Sequence, residues 1–180
     1  NGSEKKYLEQ VKNYFSNSII IERAINGGCT SAYNDGIKHA LSDNNVDAIM
    51  LIGNDIRLEE CGITKLFEIL QSKKEYGMIA PLMFLKDSRI IEDFGSEITP
   101  FMIMKPRYYK KTEHELPYKT EIVPTVTGGM NIAKREFYEK VGLQDENLFM
   151  YSDEVDMGLR TKKTEYKIIV TAEVHSWHQH

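Results

Sequence analysis

The sequence predicts an α/β protein built on a mostly parallel central sheet flanked by helices, and three observations carry that reading. Apolar stripes at helical spacing alternate with short apolar runs over residues 3–80. Ala48–Ile52 is continuously apolar between polar neighbours, the pattern of a strand buried on both faces of a parallel sheet. The order helix, strand, helix, strand, helix, strand then gives parallel neighbours through right-handed crossovers.

Taken in order, Tyr7, Val11, Tyr14 and Phe15 form a helical stripe behind Ser3, a residue type suited to an N-cap. Residues 18–22 read as a short strand. In "INGGCTSAYNDGIKHAL" two glycines precede Thr30, and Tyr33, Ile37, Ala40 and Leu41 follow at helical spacing, so a glycine-rich turn opens a helix. Ile63, Leu66, Phe67 and Leu70 mark the next amphipathic helix, and residues 78–80 a strand that Pro81 is expected to end. Over residues 81–124 periodicity weakens: hairpin-like pieces fall around 90–94, and the Lys- and Tyr-rich stretch 105–119 reads as a mobile loop. Residues 122–126 predict a strand, with Gly128 and Gly129 between it and a helix from Lys134. A further helix starts near Asp153, and "YKIIVT" predicts a late strand.

The 180 residues, 41% hydrophobic and 28% charged, suffice for one sizeable core and exclude disordered, collagen-like and coiled-coil classes. A net charge of −4 argues against a nucleic-acid binder; the basic cluster Lys105, Arg107, Lys110 and Lys111 is local. No apolar run approaches the roughly 20 residues of a membrane-spanning helix. Cys29 and Cys61 form no Cys-x-x-Cys pair, which excludes a cysteine zinc site and fits a reduced, cytoplasmic setting. The chain opens on Asn1-Gly2-Ser3 without a secretory pattern, consistent with a fragment or a processed chain.

Four constellations could carry chemistry. Asp55, beside Asn54, directly follows a buried strand, where ligands bind in open α/β sheets and where a carboxylate can hold a divalent metal; Gly-Asn-Asp is equally good turn chemistry. Asp153, Glu154 and Asp156 place three carboxylates at a helix start. Complementing the helix N-terminus and pairing Asp156 with Arg160 accounts for Asp153 and Asp156. Glu154 lies about 100° round the helix and could face a cleft as general base. His175, His178 and His180 have spacings that allow a metal site or simply a polar tail, with Trp177 among them as core or stacking surface. Gly128-Gly129 permits close approach of backbone to a ligand, or serves a tight turn.

The order of these segments resembles the family 2 inverting glycosyltransferases, particularly the rhamnosyltransferase-like members that build bacterial surface polysaccharides. "INGGCTSAYNDGI" is similar to that family's Asn-x-Gly-x-x-x-x-x-Asn-x-Gly segment, with Asn26, Gly28, Asn34 and Gly36 in place. "IMLIGNDI" resembles the strand leading to its metal-binding Asp-x-Asp-type motif. "TVTGGMNIAKREFYEKVGLQDENLFMYSDEVDMGLR" resembles the glycine turn, the acceptor-side acidic segment and the Glu-Asp pair containing the base, and "AEVH" the strand ending in a metal-binding His. The resemblance implies a GT-A fold over 1–180 as one domain, with a nucleotide-sugar half (1–80) and an acceptor and catalytic half (81–180). It implies a UDP- or dTDP-linked donor, Mg²⁺ or Mn²⁺, and a polysaccharide or lipid-linked acceptor, with peripheral membrane association compatible with the latter. By residue, it implies Asp55 and His175 for metal, Glu154 with Asp153 for catalysis, and Asn26, Gly28, Asn34, Asn54, Gly128 and Gly129 for the donor. Asp145 and Trp177 fall to the acceptor.

Three features depart from the family pattern. Gly53 stands where an acidic or Asn residue is usual, and the Glu-Asp pair is inverted as Asp153-Glu154. The segment also begins after the family's first strand and helix and stops at the metal His, so an incomplete N-terminus is expected. A non-catalytic nucleotide-sugar or glycan-binding relative is the alternative reading.

Overall fold

The computed structural model describes residues 1–179. The chain runs α1 (Lys5–Tyr14), α2 (Gly28–Leu41), β1 (Ala48–Ile52), β2 (Ile56–Leu58), α3 (Gly62–Gln71) and β3 (Tyr76–Leu85). It continues β4 (Ile91–Asp93), β5 (Ser96–Ile98), β6 (Met104–Pro106), a 3₁₀ turn (Glu113–Glu115), β7 (Thr120–Val123), β8 (Met130–Lys134), α4 (Arg135–Val141), α5 (Asp153–Thr161) and β9 (Lys167–His178). The sheet order is β1-β8-β3-β9-β2, with β4 on β3 and β7 on β9; β5 and β6 form a separate hairpin.

The mixed α/β architecture with flanking helices holds, but the sheet is not mostly parallel. Among the described residues β3 and β9 are the parallel neighbours, and every other pair in it is antiparallel. The physical reason is β8, which the sequence hid between Gly129 and a helix. It inserts antiparallel to both β1 and β3, so β1 and β3 keep the parallel sense their crossover dictates without touching. Pro81 also does not end its strand. It lies inside β3 opposite Thr171, at a register break where β9 passes from Thr171 to His175, and a bulge is where a residue lacking an N–H is tolerated. Residues 18–22 form no strand, and Ile19 remains 71% exposed. The expected mobile loop 105–119 instead holds part of β6 and a 3₁₀ turn closed by a Thr112–Glu115 capping box. At α1 the N-cap is Glu4, without a side-chain cap bond, rather than Ser3.

Each face of the sheet is buried. Leu66 and Leu70 of α3 cover one, packing on Ile79, Met83, Ile132, Ile169 and Val174. On the other, Ile37 of α2, Phe137 and Val141 of α4 and Met157 of α5 pack on Leu51, Met78, Leu82, Ala133 and Val170. These three layers fix the two places that matter below, the turn after β1 and the N-terminus of α5.

Candidate active site

β2 pairs with β9 so that Ile56 lies opposite His178, and the Gln179 N–H donates to the Asp55 carbonyl at 2.8 Å. Asp55 therefore meets His178: its Oδ2 lies 3.4 Å from Nε2. The Nδ1 of the same ring is 2.8 Å from Glu92 Oε1, so a ring that donates there turns its Nε2 lone pair toward Asp55. One carboxylate oxygen and one imidazole nitrogen form a donor set suited to Mn²⁺ or, through its oxygen, Mg²⁺. Among the described residues this site brings two protein donors together, and no group of three or more His, Cys, Asp or Glu is gathered to hold a metal.

His175, the expected metal ligand, stands elsewhere. Side chains alternate along a strand, so an odd separation places 175 and 178 on opposite faces. The His175 ring nitrogens meet Glu59 at 2.9 Å and Glu113 at 3.2 Å. Trp177 shares that face; its indole N–H donates to the Ser88 carbonyl, and the Arg57 and Arg89 guanidinium groups lie over its ring at 4.4 and 5.8 Å. Among the described residues the structure thus brings His178, and not His175, to Asp55. His180 lies outside the described residues.

The Asp55 turn joins the α5 terminus through the glycine pair. The Gly53 N–H donates to the Gly129 carbonyl at 2.8 Å, and the Gly128 N–H donates to Glu154 Oε1 at 3.1 Å. A Cβ on Gly128 would stand 2.9 Å from that carboxylate oxygen, so the glycine permits the contact. Thr125 Oγ1 holds the Glu154 carbonyl at 2.7 Å. Tyr151 and Ser152, just before α5, are both left-handed (φ 69° and 66°), strain of the kind that accumulates where side chains must be aimed. Asp153 is buried, and burial together with the adjacent Glu154 charge pushes its carboxyl up to about 7. Behind Glu154 a cavity of about 20 Å³ is lined by Asn131, Tyr138 and Gln144.

The α2 segment supports this site more than it opens to it. Asn26 Oδ1 accepts from the Gly28 N–H at 2.9 Å, turning the chain into the helix. The Cys29 N–H donates to the Phe149 carbonyl at 2.9 Å, and a Cβ on Gly28 would lie 1.9 Å from that oxygen. Asn34 is buried and spends its amide on the Gln144 backbone and on Glu146, so it braces α2 against the 142–148 loop rather than facing a ligand. Asp145 is exposed and accepts from the Asn147 backbone and side chain, which lowers its pKa; among the described residues no contact joins it to Glu154. Asn54 is exposed beside Asp55. Tyr33, which the sequence places on the apolar stripe of α2, has its hydroxyl pushed up by burial and then by the charges of Cys29, Asp153, Asp55 and Glu154.

Residues 1–142 match the family model described as glycosyl transferase family 2. The chain belongs to glycosyl transferase family 2. The matched segment includes Asp55, Gly128 and Gly129, whereas Asp153, Glu154 and His178 lie beyond it. No curated protein sequence matches this family 2 chain. Among solved structures it is similar to GalNAc-T7, crystallised with UDP, GalNAc and Mn²⁺, with a TM-score of 0.74 at 16% identity over 97% of this chain and 35% of that one. It is also similar to A197 from STIV, with a TM-score of 0.56 at 16% identity over 89% of this chain and 71% of that one. The chain thus spans about a third of the GalNAc-T7 chain. At these identities the likeness shows a GT-A glycosyltransferase fold.

Proposed function

We propose that this family 2 chain transfers a sugar from a nucleoside-diphosphate donor, UDP- or dTDP-linked, to a hydroxyl of a polysaccharide or lipid-linked glycan, with inversion, on the cytoplasmic side of a membrane. The observation that carries the reading is the continuous link from the Asp55 turn through Gly53–Gly129 and Gly128 to Glu154. A group held at Asp55 and a proton acceptor at Glu154 are thereby fixed relative to one another. Glu154 takes the acceptor hydroxyl's proton as its oxygen attacks the anomeric carbon. The bond to the diphosphate breaks on the opposite face, and its electrons stay with the leaving phosphate. Asp153, which readily holds a proton near neutrality, keeps the second charge away from Glu154. Asp55 and His178 would hold the Mg²⁺ or Mn²⁺; bound there, the cation offsets charge on the leaving diphosphate. UDP and Mn²⁺ in GalNAc-T7 support this donor class and cofactor. Asn26, Gly28, Asn54, Gly128 and Gly129 remain donor-side assignments, and Asp145 and Trp177 acceptor-side ones.

The test is a thermal-shift and calorimetric titration with UDP and dTDP, with and without Mn²⁺, followed by donor hydrolysis and transfer assays. Metal-dependent binding lost in Asp55→Ala supports the reading, and no binding of either nucleotide under any condition overturns it. A second reading, binding without turnover, is favoured by Gly53, which adds no donor atom beside Asp55. It predicts that Glu154→Gln leaves nucleotide affinity unchanged in a chain that shows no transfer.

A further inference from the structure

The β5–β6 hairpin presents an apolar tip to solvent. Phe101, Met102 and Ile103 are 85%, 55% and 62% exposed. The tip is held in shape: the Met102 N–H donates to the Thr99 carbonyl and the Thr99 N–H to the Ile103 carbonyl, each at 2.9 Å, and the Ile103 N–H donates to Thr99 Oγ1 at 3.1 Å. Met102 takes the left-handed φ of 60° that the turn requires. Such a turn exposes its side chains without the ordering cost of a floppy loop.

Charge says what would cover it. Between Ile98 and Thr112 the sequence has Lys105, Arg107, Lys110 and Lys111 and no acidic residue, in a chain of net charge −4. Arg107 pairs with Glu97 and Glu121, and Lys111 with Glu115; among the described residues Lys105 and Lys110 have no carboxylate partner. Tyr109 and Tyr118, half and two-thirds exposed, add aromatic rings of the kind that settle at a lipid headgroup boundary. Other exposed apolar stretches lack this signature: on α1 Glu4 and Glu9 offset two of its three lysines, and Phe149, Met150 and Tyr151 lie between Asp145-Glu146 and Asp153-Glu154.

We propose that the β5–β6 hairpin docks the protein on an anionic membrane surface, with Phe101, Met102 and Ile103 entering the headgroup–acyl boundary and Lys105 and Lys110 on lipid phosphates. An apolar tip and adjacent cations together are the composition that interfacial binding requires. The hairpin is joined to the site, since the Ser96 N–H donates to the Thr125 carbonyl at 2.9 Å and Thr125 holds Glu154. Docking would therefore present α5 to lipid-linked acceptors, a consequence that rests on the proposed function, whereas the docking itself does not.

Co-sedimentation with phosphatidylcholine vesicles, with and without phosphatidylglycerol, tests it in the absence of donor. The chain is expected to bind the anionic vesicles, with salt sensitivity. Phe101→Asp with Ile103→Asp should weaken binding about tenfold or more, and Lys105→Glu with Lys110→Glu by roughly fivefold per cation. Tyr14→Ser with Phe15→Ser should leave it unchanged, and circular dichroism should report folded variants throughout. Equal binding to neutral vesicles, full binding by the hairpin variants, or loss in the α1 variant would overturn the proposal. So would a self-association without vesicles that Phe101→Asp abolishes, which would make a second copy the occupant. Donor binding is measured separately, so failure of either reading is distinguishable from failure of the other.

Discussion

Asp55 and His178 face one another across the β2–β9 pair, Oδ2 to Nε2 at 3.4 Å, with Glu92 on the far ring nitrogen. The arrangement makes a prediction that separates two histidines three residues apart. His178→Ala and Asp55→Ala should each abolish the Mn²⁺-dependent part of the thermal shift produced by UDP, and His175→Ala should retain it. Glu92→Gln, which weakens the partner that orients the ring, should lower Mn²⁺ affinity by about tenfold. Retention in His178→Ala with loss in His175→Ala would return the metal to the other face of β9.

Glu154→Gln keeps an oxygen to accept from the Gly128 N–H and removes the proton acceptor. Transfer should fall by about 10² to 10⁴ while nucleotide binding and thermal midpoint hold. A turnover close to the parent's would place the base elsewhere.

What the sequence revealed, and what it hid, divides by the range of the interaction. Ala48–Ile52, the helix opened by Gly28 and the α5 carboxylates were legible because local periodicity and capping chemistry set them. The predicted Asp156–Arg160 pair is present at 2.7 Å for the same reason. β8 was hidden because "MNIAK" follows a glycine turn and runs into α4 with no break. Its Asn131 and Lys134 also look like surface residues, although Lys134 is buried and its ammonium donates to the Lys73 carbonyl at 3.0 Å. That His178 rather than His175 faces Asp55 depends on strand parity against β2, a partner far away in sequence. Asn34 fits a ligand motif in sequence, but its amide is committed to a loop more than a hundred residues away.

Two carboxyls give the stability a direction with pH. Burial pushes Asp93 up to about 6, and burial with the Glu154 charge pushes Asp153 up to about 7. The folded state then binds these protons more tightly than the unfolded chain does. Their stabilisation is complete below the ordinary carboxylate range and is lost as pH rises through about 6 and 7. Urea unfolding from about pH 5 to about pH 8 should show stability falling, and Asp153→Asn should flatten the upper part and raise stability at the alkaline end by about 1–3 kcal/mol. An Asp153→Asn curve parallel to the parent's would mean that this carboxyl does not titrate there.

Two glycines of α2 should respond in opposite directions to the same substitution. At Gly28 the φ is +81° and a Cβ would stand 1.9 Å from the Phe149 carbonyl oxygen, which also accepts from the Cys29 N–H. Gly28→Ala must therefore push the 149–152 segment off the start of α2, and a loss of about 2–4 kcal/mol is expected. At Gly36, inside the same helix and exposed, a Cβ meets nothing within 4 Å. Gly36→Ala should gain roughly 0.5–1 kcal/mol by restricting the unfolded chain. Chemical denaturation of the two variants checks both signs at once. Because Phe149 leads directly into Tyr151, Ser152 and the Asp153-Glu154 pair, Gly28→Ala should also lower transfer by more than its loss of folded population accounts for, while Gly36→Ala should leave the rate untouched. Equal, small effects at the two positions would show that α2 does not hold the approach to α5 in place.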